Sequence, residues 1–554
     1  MFAPTPARLA APLCAALLLA GCLDHPVKAV EYDKLSDVDE GFPIAVNKDV
    51  DILFVIDNSG SMAEEQALLS ANFAAFIDVL EQPDVKANYR IGITTTDAGN
   101  PRCPTSTPEG GRLGLSSCKD RVAAAEFTYL DEDFSFACDD YCTKDDTQLT
   151  IKPTETTRDG EKKPRAWLQN IEGEINVEGV DSMVEAFQCY GPQGVAGCGF
   201  ESHLESMYLA LAKSSDPQSI QNFGFVRDSA ILSVVFITDE TDCSFNPKTK
   251  EIFTTNKVFW DDPLTDPAPT SSVCWRAGVT CEGDGPTYSE CHADNHDVEG
   301  NPGAADEDAV LLPVSKYIHF VESIEEAKRV NDMSAEVLIS LIAGVPAGYE
   351  QPGGPPLVYA DSDDPEFQAN FGIGPGCVLA NADPLLPPST AIPPVREREF
   401  AEAFQVGDER NLYSICQPNY AGALEAIADK IRDQIKPACM PSCVLDGDRT
   451  TPQAEPNCKL FDVLGDGTRH EIVPCIAGKD GWQAPANETV CFAELVDATG
   501  KQTKYAYDDL SDDCKARGLN LEFKVVRPGS APAGSSVSAT CQLTDDAAQD
   551  CPMM

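Results

Sequence analysis

The stretch that most constrains this chain is Asp51-Ile-Leu-Phe-Val-Ile-Asp57, five consecutive apolar residues closed at each end by a carboxylate. A strand that is apolar on both faces must be covered on both faces, which is the condition of a central strand in a parallel sheet. Directly after it, Leu68, Leu69, Phe73, Phe76, Ile77 and Leu80 fall on one helical face within 62–81. The alternation continues. Tyr89 to Thr96, Ala230 to Thr238, Val337 to Ala343 and Leu412 to Ile415 read as strands. Helical spacing returns at Leu204, Met207, Tyr208 and Leu211, over Tyr317 to Ile324, over Glu397 to Phe404, and at Leu424, Ile427, Ile431 and Ile435. Strands alternating with helices predict an α/β fold with a doubly wound, mostly parallel central sheet. Sites on such sheets form at the carboxyl ends of the strands.

Two stretches interrupt the pattern. Residues 98–180 are irregular and hold Cys103, Cys118, Cys138 and Cys142; residues 243–312 are rich in Asp, Gly, Pro and Cys. Both read as disulfide-pinned insertions in a domain spanning 47–436. Pro437 ends the alternation. Residues 437–554 carry eight cysteines and short strand-like runs, Leu521 to Val526 and Ser536 to Gln542, and read as a small β-rich, disulfide-stapled domain. The polar, acidic residues 22–46 read as a tether.

The N-terminus indicates the compartment. Arg8 precedes a short apolar stretch, Leu9 to Ala20, of signal-peptide rather than membrane-spanning length. It ends in Leu19-Ala20-Gly21-Cys22, which resembles the lipobox of bacterial lipoproteins. The resemblance implies a signal peptide over 1–21, cleavage before Cys22, lipid on the Cys22 sulfur and, with Leu23 following, the outer membrane. Of 22 cysteines, Cys14 is removed and Cys22 lipidated, leaving 22 − 2 = 20, an even number that fits up to ten disulfides. Cys189 and Cys198 flank a short Gly-rich loop and are expected to pair. The balance of 41 Lys+Arg against 90 Asp+Glu, a net charge of −49, argues against nucleic acid as a partner.

At the end of the first apolar run stands Asp57-Asn58-Ser59-Gly60-Ser61, a D-x-S-x-S placed between a strand and a helix. It resembles the metal-ion-dependent adhesion site (MIDAS) of von Willebrand factor A domains, and the resemblance covers roughly 47–436. Hard divalent cations take oxygen ligands held by rigid elements. The resemblance implies direct coordination by Ser59 and Ser61, a water-mediated Asp57, and an open position for a partner's carboxylate. Val234-Val-Phe-Ile-Thr-Asp239 resembles the family's fourth strand and its closing metal-site Asp. The family's third ligand is a Thr. Here Glu201 stands at that position, with Ser202 as the alternative. The implied cofactor is Mg²⁺, with Ca²⁺ or Mn²⁺ tolerated.

Three weaker candidates remain. Asp97 follows the second strand and could hold a second ion. Cys291, His292, Asp294 and His296 resemble a zinc patch, although cysteines of an exported chain more often form disulfides. Asp294, Asp297, Glu299, Asp306, Glu307 and Asp308 are acidic without EF-hand spacing. No H-E-x-x-H, G-x-S-x-G or P-loop occurs, so an enzyme is not expected. The sequence points to a lipid-anchored envelope protein whose von Willebrand A-type domain binds a divalent metal and an extracytoplasmic protein partner, in adhesion or envelope assembly. The alternative is a structural scaffold in which the metal stabilises loops.

Overall fold

The computed structural model describes residues 42–44 and, from 48 to 551, all but the short stretches 83–84, 330–335, 381–387, 436–437, 441, 464–467, 479–480, 487, 502–504, 506, 527–535 and 545. The leader and Cys22 lie outside the described residues.

The first apolar run forms β1 (Asp49–Ile56). Around it stand β2 (Asn88–Thr95), β3 (Trp167–Ile171), β4 (Glu174–Ile175), β5 (Ile231–Ile237), β6 (Val337–Ala343) and β7 (Leu412–Ser414). Their spatial order is β7-β6-β5-β1-β2-β3-β4. The pairs from β7 through β2 are parallel, and β3 and β4 add an antiparallel edge. The fold is α/β, with this mixed, partly parallel sheet of seven strands and several two-stranded antiparallel ribbons.

Alternate residues of the same strands feed two apolar clusters. Ile52, Phe54 and Ile56 pack with α1 (Ala63–Leu80), α2 (Met183–Tyr190) and α6 (Ala421–Gln434). Leu53 and Val55 pack with α3 (His203–Ser214), α4 (Val314–Arg329) and α5 (Val395–Glu402). Helices therefore cover both faces, as the unbroken apolar run of β1 requires. Phe54 sits 5.9, 5.8 and 5.3 Å from the rings of Phe73, Phe76 and Phe187. Burying one such ring is worth about 1.5–3 kcal/mol.

Two elements depart from the sequence expectation. β3 lies inside 98–180, read as irregular. Its Gln169 and Asn170 break the apolar pattern, yet both are buried and hydrogen-bonded, Asn170 donating to Glu81 at 2.8 Å. Residues 42–44, read as tether, pair antiparallel with Ala539, Ser538 and Val537. That strand edges a second, mostly antiparallel sheet of seven strands, otherwise drawn from Ala438 to Cys541. A separate apolar cluster holding Met440, Leu460, Phe492, Leu521 and Phe523 packs against it.

The twenty cysteines after Cys22 form ten disulfides. The expected Cys189–Cys198 pair is not among them. Cys189, on α2, pairs with Cys142, and Cys198 pairs with Cys103. The short loop would make a local bridge easy to close, but the two cysteines instead staple the 98–180 segment to α2 and to the loop after it, across 47 and 95 residues. No described helix is long and apolar enough to cross a membrane.

Candidate metal centre

Strand registers set the site. Ile56 lies level with Ile237 on β5 and with Thr95 on β2. The next residues, Asp57, Thr238 and Thr96, therefore emerge side by side from three parallel strands. The chain turns from β1 to opposite sides of the sheet, so this is the point where strand order reverses and where such sheets bind ligands.

Asp57 is fully buried. Its Oδ1 accepts the Ser59 amide at 2.8 Å and the Thr96 hydroxyl at 3.5 Å, and its Oδ2 accepts the Thr238 hydroxyl at 2.7 Å. These bonds fix the carboxylate and fold the loop, bringing Ser59 Oγ within 3.3 Å of Ser61 Oγ. The Ser61 hydroxyl lies near enough to the Asp239 carboxylate to favour its charged form. Gln66 of α1 clamps the loop from behind, donating to the Asp57 carbonyl at 3.0 Å and the Gly194 carbonyl at 2.8 Å. The structure thus brings Asp57, Ser59, Ser61 and Asp239 to one corner of the sheet.

The same corner collects more acid than the motif alone supplies. Burial pushes the Asp239 carboxyl well above its ordinary range, with Asp57, Glu240 and Glu65 adding to it. Burial does the same to Glu201, reinforced by Glu240 and Asp57. Glu240 and Glu65 are each raised to about 7, again by burial first. Asp239 Oδ1, Glu201 Oε1, Glu240 Oε2 and Glu65 Oε2 are buried with no hydrogen-bond partner. A buried carboxylate oxygen without a donor is costly, and so is a group of like charges out of water. An oxygen-seeking divalent cation relieves both. The residues present therefore fit such an ion.

The two alternatives for the third ligand differ in their surroundings. Ser202 donates its hydroxyl to the Cys243 carbonyl at 3.2 Å. Glu201 interacts with Asp57 and Glu240 and keeps an unsatisfied oxygen. Glu201 thus brings an unpartnered carboxylate oxygen, while Ser202 Oγ, having donated its proton, still carries lone pairs that a cation could use. Asp97 is buried, with Oδ1 accepting the Gly99 amide at 2.8 Å and Oδ2 unpartnered.

Three residues escaped the sequence reading. Glu65 sits in the first turn of α1, where a run of two acids is ordinary helix-start chemistry. His203 and Glu397 come from different helices and meet only in the fold. His203 is fully buried, with Nδ1 3.1 Å from Glu397 Oε1 and Nε2 3.8 Å from Asp57 Oδ2. Burial opposes its charge, but Asp57 and Glu397 outweigh burial and hold its pKa at about 10. Its two carboxylate neighbours favour the charged imidazolium over the neutral ring.

The zinc patch does not form: Cys291 is bonded to Cys281. Of the 294–308 acids, Asp297 caps local turns through the Glu299 and Asn301 amides and Asp294 accepts the Gly303 amide. Among the described residues, one trio of carboxylates places its oxygens within 4.8 Å of one another, Asp497, Asp508 and Asp509 in the C-terminal sheet region. This acidic cluster can coordinate a divalent ion. The rim acids are spaced more widely than that.

The chain matches no family model and no curated protein. Among solved structures it is similar to the pilus adhesin SpaC of Lactobacillus rhamnosus GG in its open conformation, at 10% identity and a TM-score of 0.26, covering 90% of this chain and 39% of that one. The pilus adhesin RrgA of Streptococcus pneumoniae matches at 8% identity and a TM-score of 0.18, covering 90% and 57%. The chain thus spans about two-fifths to three-fifths of those adhesins. At these scores the likeness carries no argument about fold or role.

Proposed function

We propose that the chain is a metal-dependent binding module of the bacterial cell envelope, a von Willebrand A-type domain on a doubly wound sheet with a MIDAS-like centre. The observation that carries this reading is the set of unsatisfied buried oxygens from Glu201, Asp239, Glu240 and Glu65, gathered around a serine pair at the switch point of the sheet. The proposed ligands are Asp57, Ser59, Ser61, Glu201 and Asp239, around Mg²⁺ or, in a more acidic shell, Ca²⁺ or Mn²⁺. Ligand distances of about 2.1 Å identify Mg²⁺ and of about 2.4 Å Ca²⁺. The site is proposed to bind rather than catalyse, since the serines have no free base beside them: His203 is held between Asp57 and Glu397. Anchoring through lipid on Cys22, with export to the outer membrane, is proposed from Leu19-Ala20-Gly21-Cys22.

The test is capture of envelope proteins by the mature chain, with and without a chelator, beside Asp57→Ala. Capture lost in both cases supports the binding module. Capture unchanged in both sinks it and favours the scaffold, in which the metal braces loops.

A further inference from the structure

Beside the metal loop stands a feature the motif does not account for. Thr128–Tyr129 and Glu132–Asp133 form a two-residue hairpin whose turn is Leu130–Asp131. Both turn residues have positive φ, 49° and 67°. That turn geometry favours Asn-Gly or Asp-Gly, and a leucine there is strained. Leu130 is nonetheless 80% exposed, so its side chain gains little from packing against the described residues. The hairpin is aimed. A Cβ on Gly60, inside the metal loop, would lie 2.5 Å from the Tyr129 ring, so the ring rests directly on that loop and needs a glycine there. The stem is fixed by the buried Phe127, by the Val195 amide on the Glu126 carbonyl at 2.7 Å, and by the Cys118–Cys138 bridge. Tyr129 is 44% and Phe136 38% exposed. Asp131, Glu132 and Asp133 are exposed and form no ion pair among the described residues.

We propose that the hairpin Thr128–Asp133 and the metal loop together form one docking surface, and that its occupant is a cationic protein segment carrying apolar side chains. Leu130 and the outer edge of Tyr129 bury against those side chains, and Asp131, Glu132 and Asp133 meet its lysines or arginines. Charge decides the class of partner. A leucine tip could also enter a lipid surface, but three unpaired carboxylates around it are repelled by anionic headgroups. A chain of net charge −49 also steers cationic partners towards itself. The proposal rests on the binding-module reading and adds the partner's chemistry.

The test uses the mature chain and three labelled synthetic peptides of equal length: Lys/Leu, Lys/Ser and Glu/Leu. Fluorescence anisotropy measures each against the wild type, Leu130→Gly and Leu264→Gly. Glycine accepts the turn's positive φ, so Leu130→Gly keeps the fold while removing the apolar tip. Leu264, 92% exposed in another loop, is the control for a lost surface leucine. The expected result is Lys/Leu binding weakened about tenfold or more by Leu130→Gly and unchanged by Leu264→Gly, with Lys/Ser weaker on the wild type and Glu/Leu weaker once chelator has removed the metal's open position for a carboxylate. Equal Lys/Leu binding to the wild type and Leu130→Gly overturns the proposal, as does Glu/Leu binding as tight as Lys/Leu in chelator, where the metal's open position for a carboxylate no longer contributes. Leu130-dependent binding to phosphatidylcholine vesicles in place of peptide overturns it in favour of a membrane. Repeating the series in chelator separates the two readings. A Leu130 effect that persists while calorimetry finds no metal at the rim retains the hairpin and removes the metal centre.

Discussion

Replacing Asp239 by Asn should make the metal-free protein more stable and the metal-loaded protein less so. Without metal, the Asp239 carboxyl is buried among Asp57, Glu240 and Glu65, and its pKa is pushed well up by burial and by those neighbours. Like charges about 5 Å apart at an effective dielectric of about 20 repel by roughly 3 kcal/mol. Partial protonation relieves some of that, so an isosteric neutral amide should gain about 1–2 kcal/mol in chelator. With metal at about a hundred times its Kd, the wild type gains about 2.7 kcal/mol from binding, and the variant loses most of that gain. The stability order therefore inverts between the two conditions. Urea denaturation followed by circular dichroism, in chelator and in saturating Mg²⁺ or Ca²⁺, reads both arms. A variant destabilised in chelator would mean that Asp239 is an ordinary satisfied carboxylate. A variant stabilised by metal as much as the wild type would mean that the ion binds elsewhere.

Other consequences follow from the same structure. Glu65 and Glu240, raised to about 7 from ordinary values near 4.5, bind protons in the folded state that the unfolded chain has released. The metal-free protein should therefore become more stable as pH falls from about 8 towards 5, and metal affinity should rise across the same window as pH increases; flat profiles in calorimetry would contradict this. At the opposite end of β1, the buried Arg227 holds Asp51 at 2.9 Å and Asp49 at 3.1 Å. Arg227→Met should cost about 3–5 kcal/mol by stranding the Asp51 charge, and adding Asp51→Leu should recover much of it, with metal affinity unchanged in the double variant. Removing the Cys142–Cys189 bridge, which spans 47 residues, should cost about 4 kcal/mol in chemical denaturation, and a loss under 1 kcal/mol would mean that other contacts already hold the segment.

The two ends of the centre were legible in the sequence because each closes an unbroken apolar run. Asp57 directly follows β1 and Asp239 lies two residues beyond β5, and only a strand covered on both faces tolerates such runs. Glu201 and Ser202 were legible as neighbouring candidates, but their surroundings were not: Glu201 keeps an unpartnered oxygen, and the Ser202 hydroxyl donates to a carbonyl from another loop. His203 and Glu397 were not legible. Their pairing spans about two hundred residues, and a histidine at the start of an amphipathic helix carries no periodic signal. β3 was missed because its buried amides look polar until their partners are known. The Cys189–Cys198 expectation failed because loop length measures only the entropy of closure, whereas α2 and the 98–180 segment fix where each sulfur points.

The central claim is that one divalent ion sits among Ser59, Ser61, Asp239 and Glu201, with Asp57 behind it. Anomalous diffraction from crystals soaked in Mn²⁺ tests it directly, because it locates the ion without assuming its ligands. The account predicts a peak at the carboxyl edge of β1 and β5, with Ser59 Oγ and Ser61 Oγ about 2.2 Å from it. A rim without a peak, with manganese held instead at Asp497, Asp508 and Asp509, would contradict it.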